Sequence, residues 1–375
     1  EVDRIVRRGV HDEDGNLGRF LVGRVLEAAK HPNADRLQLC QVDVGEGQPR
    51  QIVCGAWNFG AGDTVAVALP GARLPGADAP LTEAKLRGEL SRGMILSERE
   101  LELGADHSGI IVLAGGPEPG TPLQDVLPIA EQAVLEVEVT GNRPDLLSIY
   151  GLAREVSVLY DLDLAPFPGV EPARASNEPV DVRVEDPDGC PVYIGRLFSD
   201  VQIKPSPAWL RARLVAAGMR PISNVVDATN YLMLALGSPL HAFDYDTLAG
   251  PSVVVRRARA GEEIRTLDGV TRSLDPTDLL IADGERPIAL AGIMGGEETE
   301  VTDRTRNVLL EAANFEPIGI LQSSERHKLR TEGSNRWEKG VDPHVAEHAA
   351  RFASELIVDL GGARWAGEAD VRAEL

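Results

Sequence analysis

The chain has 375 residues, 43% of them hydrophobic, and a formal net charge of −21. That much apolar material can bury a sizeable core across two or three domains, and no apolar run approaches the roughly 20 residues that cross a bilayer. The negative balance argues against indiscriminate binding to nucleic acid, without excluding a local basic site.

The start at Glu1 shows no positively charged, apolar leader, so a cytoplasmic piece of a longer protein is expected. Cys40, Cys54 and Cys190 are too few and too unevenly spaced for a disulfide framework, which fits a reducing compartment. From Phe20 to Leu113, short apolar runs alternate with Gly, Pro, Asn and Asp, the pattern of a small β-barrel. Basic side chains gather there at Lys85, Arg87, Arg92 and Arg99. The Gly- and Pro-rich stretch 115–128 reads as a connection. Leu135, Val137 and Val139 then alternate with polar residues as in a half-buried strand, and Ile149, Leu152, Val156 and Tyr160 recur at helical spacing. Prolines punctuate 163–179, after which a mixed region begins. Its helices are expected at Ala208 to Ala217, Val225 to Leu236 ended by Gly237, and His344 to Leu360 ended by Gly361 and Gly362. Strands are expected at Val180 to Val184, Ser252 to Arg257 and Leu279 to Ala282. A second basic concentration comprises Arg326, Lys328, Arg330 and Arg336. Helices and strands interleave without a βαβ rhythm, so the fold class is multidomain α+β.

The common catalytic signatures are missing: there is no phosphate-binding loop, no zinc-protease helix and no nucleophile elbow. His31, Cys40 and Cys54 have separations that match no compact zinc set, so no metal site is assigned. The glycines of Ala291-Gly-Ile-Met-Gly-Gly296 would let backbone approach a ligand and offer its N–H groups, although their spacing is not that of a dinucleotide loop.

Three segments in order, His31-Pro-Asn-Ala-Asp-Arg-Leu37, Gln51-Ile-Val-Cys-Gly-Ala-Trp-Asn58 and Lys85-Leu-Arg-Gly-Glu-Leu-Ser-Arg-Gly-Met94, resemble the oligonucleotide-binding (OB) domain shared by several synthetases and free tRNA-binding proteins. On that resemblance Asn33, Asn58, Lys85, Arg87, Ser91 and Met94 form the RNA-facing surface, with cations meeting phosphates and polar groups meeting sugars and bases. For Asn33 and Asp35, making a turn is an equal alternative.

A further segment, Thr140-Gly-Asn-Arg-Pro-Asp-Leu-Leu-Ser-Ile-Tyr-Gly-Leu-Ala-Arg-Glu155, is similar to the join between barrel and editing region in bacterial phenylalanyl-tRNA synthetase beta subunits. Arg143 and Asp145 are read there as fixing a helix start. The block Arg220-Pro-Ile-Ser-Asn-Val-Val-Asp-Ala-Thr-Asn-Tyr231 is followed by Gly237-Ser-Pro-Leu-His-Ala-Phe-Asp244, Leu290 to Glu297, Val308 to Ala313 and Thr331 to Glu338. Together these look like the B3/B4 editing module of that family, and the resemblance spans nearly the whole chain.

It implies a discontinuous connecting domain at 1–19 and 126–165, an OB-fold tRNA-binding domain at 20–125 and a mixed α/β editing domain at 170–375. It also implies hydrolysis of tyrosine mis-esterified to phenylalanine tRNA. A pocket for phenylalanine cannot strongly reject one added hydroxyl, and an editing carboxylate can exploit that hydroxyl. Glu311 occupies the carboxylate position and His241 that of the editing histidine; Thr229 and Asn230 are candidate polar groups on the same helix. Gly295, Thr331, Gly333 and Arg220 would line the substrate site, Gly333 standing where many relatives carry Ala. Read without the resemblance, Glu311 would be a buried carboxylate paired with an Arg.

Neither Ser238 nor Ser334 is assigned as a nucleophile, because positioned water and oxyanion donors suffice for an activated ester. Editing would need no cofactor, whereas the intact family enzyme joins phenylalanine to tRNA with ATP and magnesium, mainly on its alpha subunit. Expected partners are therefore phenylalanine tRNA and that subunit, with no membrane. The rival reading is a noncatalytic tRNA-binding or assembly module.

Overall fold

The computed structural model describes residues 2–104, 107–250 and 252–374; Glu1, where the chain begins, lies outside them. Two compact units are present, one of residues 1–138 with 208–221 and the other of 139–207 with 222–375.

In the first unit, β1 (Val2–Arg8) pairs antiparallel with β9 (Gln132–Val137). Between them lies a five-stranded sheet in the order β4-β3-β2-β5-β8, made of β2 (Phe20–Lys30), β3 (Gln38–Asp43), β4 (Arg50–Cys54), β5 (Thr64–Ala68) and β8 (Met94–Ile95). A hairpin of β6 (Ala84–Leu86) and β7 (Glu89–Ser91) stands beside it. In β3, Gln38, Cys40 and Val42 point inward while the residues between them are partly exposed, the alternation of a strand with one wet face. Every residue of β5 is buried, as its position between β2 and β8 requires. The sheet curls towards closure where the Arg92 N–H donates to Gln51 O at 2.8 Å. This is the nearly closed, OB-like barrel expected from the sequence. Helix α2 (Ala208–Ala216) packs within this unit although its sequence lies amid the second; Ala208 and Ala212 rest against the barrel core.

The second unit has three layers. Its centre is an antiparallel sheet in the order β12-β19-β11-β20, from β11 (Val192–Ser199), β12 (Leu240–Asp244), β19 (Val308–Asn314) and β20 (Arg364–Arg372). One face meets helices α3 (Asn224–Leu236) and α6 (Val345–Gly361) through Ala242 and Leu310 on the sheet and Ala228, Leu232, Ala349 and Ala353 on the helices. The other face, through Tyr193, Phe243 and Leu309, meets a five-stranded sheet ordered β10-β13-β16-β17-β18. Those strands are β10 (Asp181–Val184), β13 (Ser252–Arg257), β16 (Leu279–Ala282), β17 (Pro287–Leu290) and β18 (Met294–Gly295), with a small hairpin of β14 (Glu263–Arg265) and β15 (Thr271–Ser273) interposed. Covered on both sides, β19 is buried along its whole length, which explains its continuous apolar sequence and makes its one acidic residue, Glu311, anomalous.

Helix ends follow local chemistry. Ser148 caps α1 (Ile149–Tyr160) by accepting from the Gly151 N–H. Helix α3 stops at Gly237, whose φ of 79° lets its N–H turn back to Met233 O. Glu316 caps α4 (Pro317–His327), and a reciprocal Thr331–Ser334 box opens α5 (Glu332–Trp337). Arg143 pairs with Asp145 and Glu155, an architectural role as expected.

Candidate functional site

The Glu311 side chain stands on the inner face of β19, directly across the ladder from His241 on β12 and from Gly195 on β11. Directly opposite residues of an antiparallel pair share a face, so the imidazole and the carboxyl are neighbours. The residue is 6% exposed, and its Oε2 has no hydrogen-bond partner. Desolvation pushes the pKa up to about 7; the nearby Tyr193 hydroxyl pulls it the other way. That hydroxyl acts on the carboxyl electrostatically, yet Tyr193 Oη and Glu311 Oε2 both lack a formed hydrogen bond. No Arg or Lys pairs with Glu311 among the described residues, which removes the paired-carboxylate alternative.

The His241 ring makes no hydrogen bond among the described residues. Its ring is closely surrounded by protein although part of its surface stays open, and burial lowers its pKa to about 4. At neutral pH it is therefore an uncharged imidazole with a lone pair available to accept a proton. Phe243 meets the ring edge-on at 4.5 Å between centroids, and Gly295 lies against its Cε1 and Nε2 atoms. A Cβ on Gly295 would reach within 2.6 Å of the ring, so only a hydrogen there leaves the imidazole its place. Leu267 N–H donates to Gly295 O, placing the exposed turn between β14 and β15 beside the same glycine.

Thr331 joins this neighbourhood by donating its hydroxyl to Ile293 O at 3.0 Å. Gly333 follows in α5, where an added Cβ would meet Gly292 O at 3.6 Å and Pro239 Cβ at 3.7 Å. Chain segments far apart in sequence, at 241, 292–295, 311 and 331–333, thus converge.

In the barrel, Lys85, Arg87 and Arg92 are exposed and form no ion pair among the described residues. His31 anchors their hairpin: its Nε2 meets Leu86 O at 3.1 Å, while Nδ1 accepts the Asn33 N–H. Trp57 is 54% exposed in the loop after β4, an aromatic face on which a nucleobase can stack.

The B3/4 domain model matches residues 189–362, and the model described as "Putative tRNA binding domain" matches residues 20–122. Over 376 residues the chain is 48% identical to the phenylalanine–tRNA ligase beta subunit of Anaeromyxobacter dehalogenans, covering 100% of this chain and 46% of that protein. The corresponding protein of Nitratidesulfovibrio vulgaris is 48% identical over 350 residues, 92% of this chain and 43% of its own length. The chain belongs to the phenylalanine–tRNA ligase beta subunit family. It spans less than half the length of these curated relatives.

The expected residues fare differently. His241, Glu311 and Gly295 come together, with Thr331 and Gly333 close by through the Gly292–Gly295 segment. Thr229 and Asn230 lie on α3, whose apolar side packs on the opposite face of the sheet, and neither hydrogen-bonds His241 or Glu311. The Thr229 hydroxyl donates to Val226 O of its own helix. Arg220 is exposed and belongs to the first unit. The glycine segment offers fewer donors than expected: the Gly296 N–H is taken by Ile288 O and the Ile293 N–H by Leu290 O.

On the barrel, Lys85 and Arg87 are surface cations without an ion pair among the described residues, whereas four of their proposed companions have structural tasks. Asn58 grips Ile110 by both N–H and C=O, and Asn33 donates to Arg87 O. Buried Ser91 accepts from Val53 N–H and donates to Gly93 O. Met94 packs against the barrel core. The second basic concentration is largely neutralised, with Arg326 on Asp278, Arg330 on Glu338 and Arg336 on Glu332. Ser334 is committed to its capping box and Ser238 is fully buried, neither placed as a nucleophile.

Two residues were not singled out from sequence. Tyr193 carries no signal on its own, because its importance lies in the strand pairing that brings it to Glu311. Trp57 was legible as an aromatic within the barrel motif, but its exposure was not.

Proposed function

We propose that this chain binds tRNA through its barrel and hydrolyses the ester joining tyrosine to the terminal adenosine of phenylalanine tRNA. The observation that carries the reading is Glu311: a buried carboxyl with an unpartnered oxygen, facing His241 in an otherwise apolar layer. A tyrosine phenol would donate its proton to that oxygen, while phenylalanine would leave it unpaired at a cost of about 1–3 kcal/mol. Neutral His241 accepts a hydrogen bond from water and orients it towards the ester carbonyl. Addition of that water breaks the acyl C–O bond, giving free tyrosine and the ribose hydroxyl. Gly295 keeps the imidazole in place, and Thr331 with Gly333 borders the aminoacyl group.

The joining of phenylalanine to tRNA belongs to the longer enzyme with its alpha subunit, ATP and magnesium, in the cytoplasm. No group of three or more His, Cys, Asp or Glu side chains that could hold a metal ion occurs among the described residues. Exposed Lys85, Arg87 and Arg92 supply phosphate contacts, and Trp57 a stacking face.

Deacylation of tyrosyl- and phenylalanyl-tRNA(Phe) by the chain and by its Glu311→Ala and His241→Ala variants tests the proposal. Hydrolysis selective for tyrosine and lost in Glu311→Ala supports it. Binding of tRNA with no hydrolysis above buffer would leave a binding and assembly module.

A further inference from the structure

Tyr193 is 0% exposed, yet its hydroxyl has no hydrogen-bond partner. Two positions along β11 from Gly195, the residue opposite Glu311, it occupies the same face of the sheet as the carboxyl. Glycine at 195 leaves room between them: a Cβ there would lie 3.7 Å from Tyr193 Cε1. The phenol ring of Tyr193 therefore leans across the gap towards Glu311, a diagonal contact within reach of an aromatic side chain. An unsatisfied donor and an unsatisfied acceptor thus stand side by side in one apolar layer, each costly to leave unmade.

The other titratable groups facing Glu311 are His241 across the β12–β19 ladder and the buried Cys190 thiol before β11. From β10 and the glycine segment Val182, Val184, Ala291, Ile293 and Met294 enter the same core, and no cation pairs with Glu311 among the described residues. Burial and the neighbouring carboxylate push the Tyr193 hydroxyl well above its ordinary value, so it remains a donor.

We infer that Tyr193 is a positioning residue for tyrosine discrimination: when a phenol docks on one Glu311 oxygen, Tyr193 Oη–H closes onto the carboxylate and holds it in its accepting orientation. The inference rests on the editing reading. It adds a second buried group whose satisfaction depends on the substrate hydroxyl, which steepens discrimination against phenylalanine.

Two measurements on the whole chain test it. In the first, Tyr193→Phe, which keeps the ring and removes the donor, is assayed on both esters across pH. Tyrosyl-tRNA hydrolysis at pH 7 should fall about tenfold, as for loss of a bond to a charged acceptor, with its pH midpoint displaced upward and phenylalanyl-tRNA hydrolysis unchanged. Equal loss on both substrates, or no loss, overturns the inference. In the second, the Glu311 carboxyl is titrated by carbon-13 NMR with labelled glutamate, its resonance assigned by Glu311→Gln. Its midpoint should rise in Tyr193→Phe, and an unchanged midpoint overturns the inference whatever the activity. A parent chain that hydrolyses neither ester while the midpoint still moves defeats the editing reading instead, and the discriminating role of Tyr193 falls with it.

Discussion

Gly295 and His241 are packed so closely that a Cβ on the glycine would stand 2.6 Å from both Cε1 and Nε2 of the imidazole. Phe243 also packs edge-on against the ring, at 4.5 Å between centroids. Gly295→Ala should therefore displace the imidazole and reduce kcat/KM for tyrosyl-tRNA at least tenfold, about 1.4 kcal/mol of transition-state stabilisation. A melting temperature near that of the parent would show that the fold survives. Retained activity would remove His241 from the mechanism.

The two ionisable groups of the site should give opposed pH dependences of stability. Glu311 has a pKa of about 7 in the folded chain against an ordinary 4.5. Its contribution is fully present below 4.5 and lost as pH rises through 7, by about 3 kcal/mol at most. His241 is depressed to about 4 from 6.5, so its contribution is present above 6.5 and lost as pH falls towards 4. Glu311→Gln should thus gain stability relative to the parent between pH 5 and 8 in urea titrations. A difference independent of pH would show that Glu311 does not titrate in this window.

Gly333 is at the start of α5, where an added methyl would meet nothing closer than 3.6 Å. Gly333→Ala should fold normally and gain about 0.5–1 kcal/mol from helix propensity. The methyl narrows the space beside Thr331, so the ratio of tyrosyl to phenylalanyl hydrolysis should change while tRNA affinity does not. Equal ratios would place Gly333 outside the aminoacyl pocket.

The barrel separates binding from support. Lys85→Ala and Arg87→Ala should weaken tRNA binding without lowering stability, each reducing the salt dependence of binding by about one phosphate contact. Ser91→Ala should instead cost about 1–3 kcal/mol of stability, because the buried Val53 N–H loses its acceptor. Binding titrations in a salt series, beside thermal melts, distinguish the two classes. Equal binding loss for Ser91→Ala at full stability would return that serine to the RNA-facing surface.

Much of this architecture was legible in the sequence because it is set locally. Helix α3 ends at Gly237 because its left-handed φ favours glycine, and β3 shows its one wet face in its alternation. The motifs around His241, Gly295, Glu311 and Thr331 were likewise visible, each as a separate segment. Sequence alone could not say that Glu311 lacks an arginine partner, since partners are chosen by sheet order. Only the β12-β19-β11 ladder places the carboxyl between His241 and the Gly195–Tyr193 side of its neighbour. Nor could it distinguish the free cations Lys85 and Arg87 from Ser91 and Asn58, because burial and hydrogen-bond commitment are properties of the closed barrel. The chain determines its turns, caps and strand periodicity through nearest-neighbour sterics; the tertiary fold decides which polar groups are left unsatisfied, because that depends on what packing excludes water from.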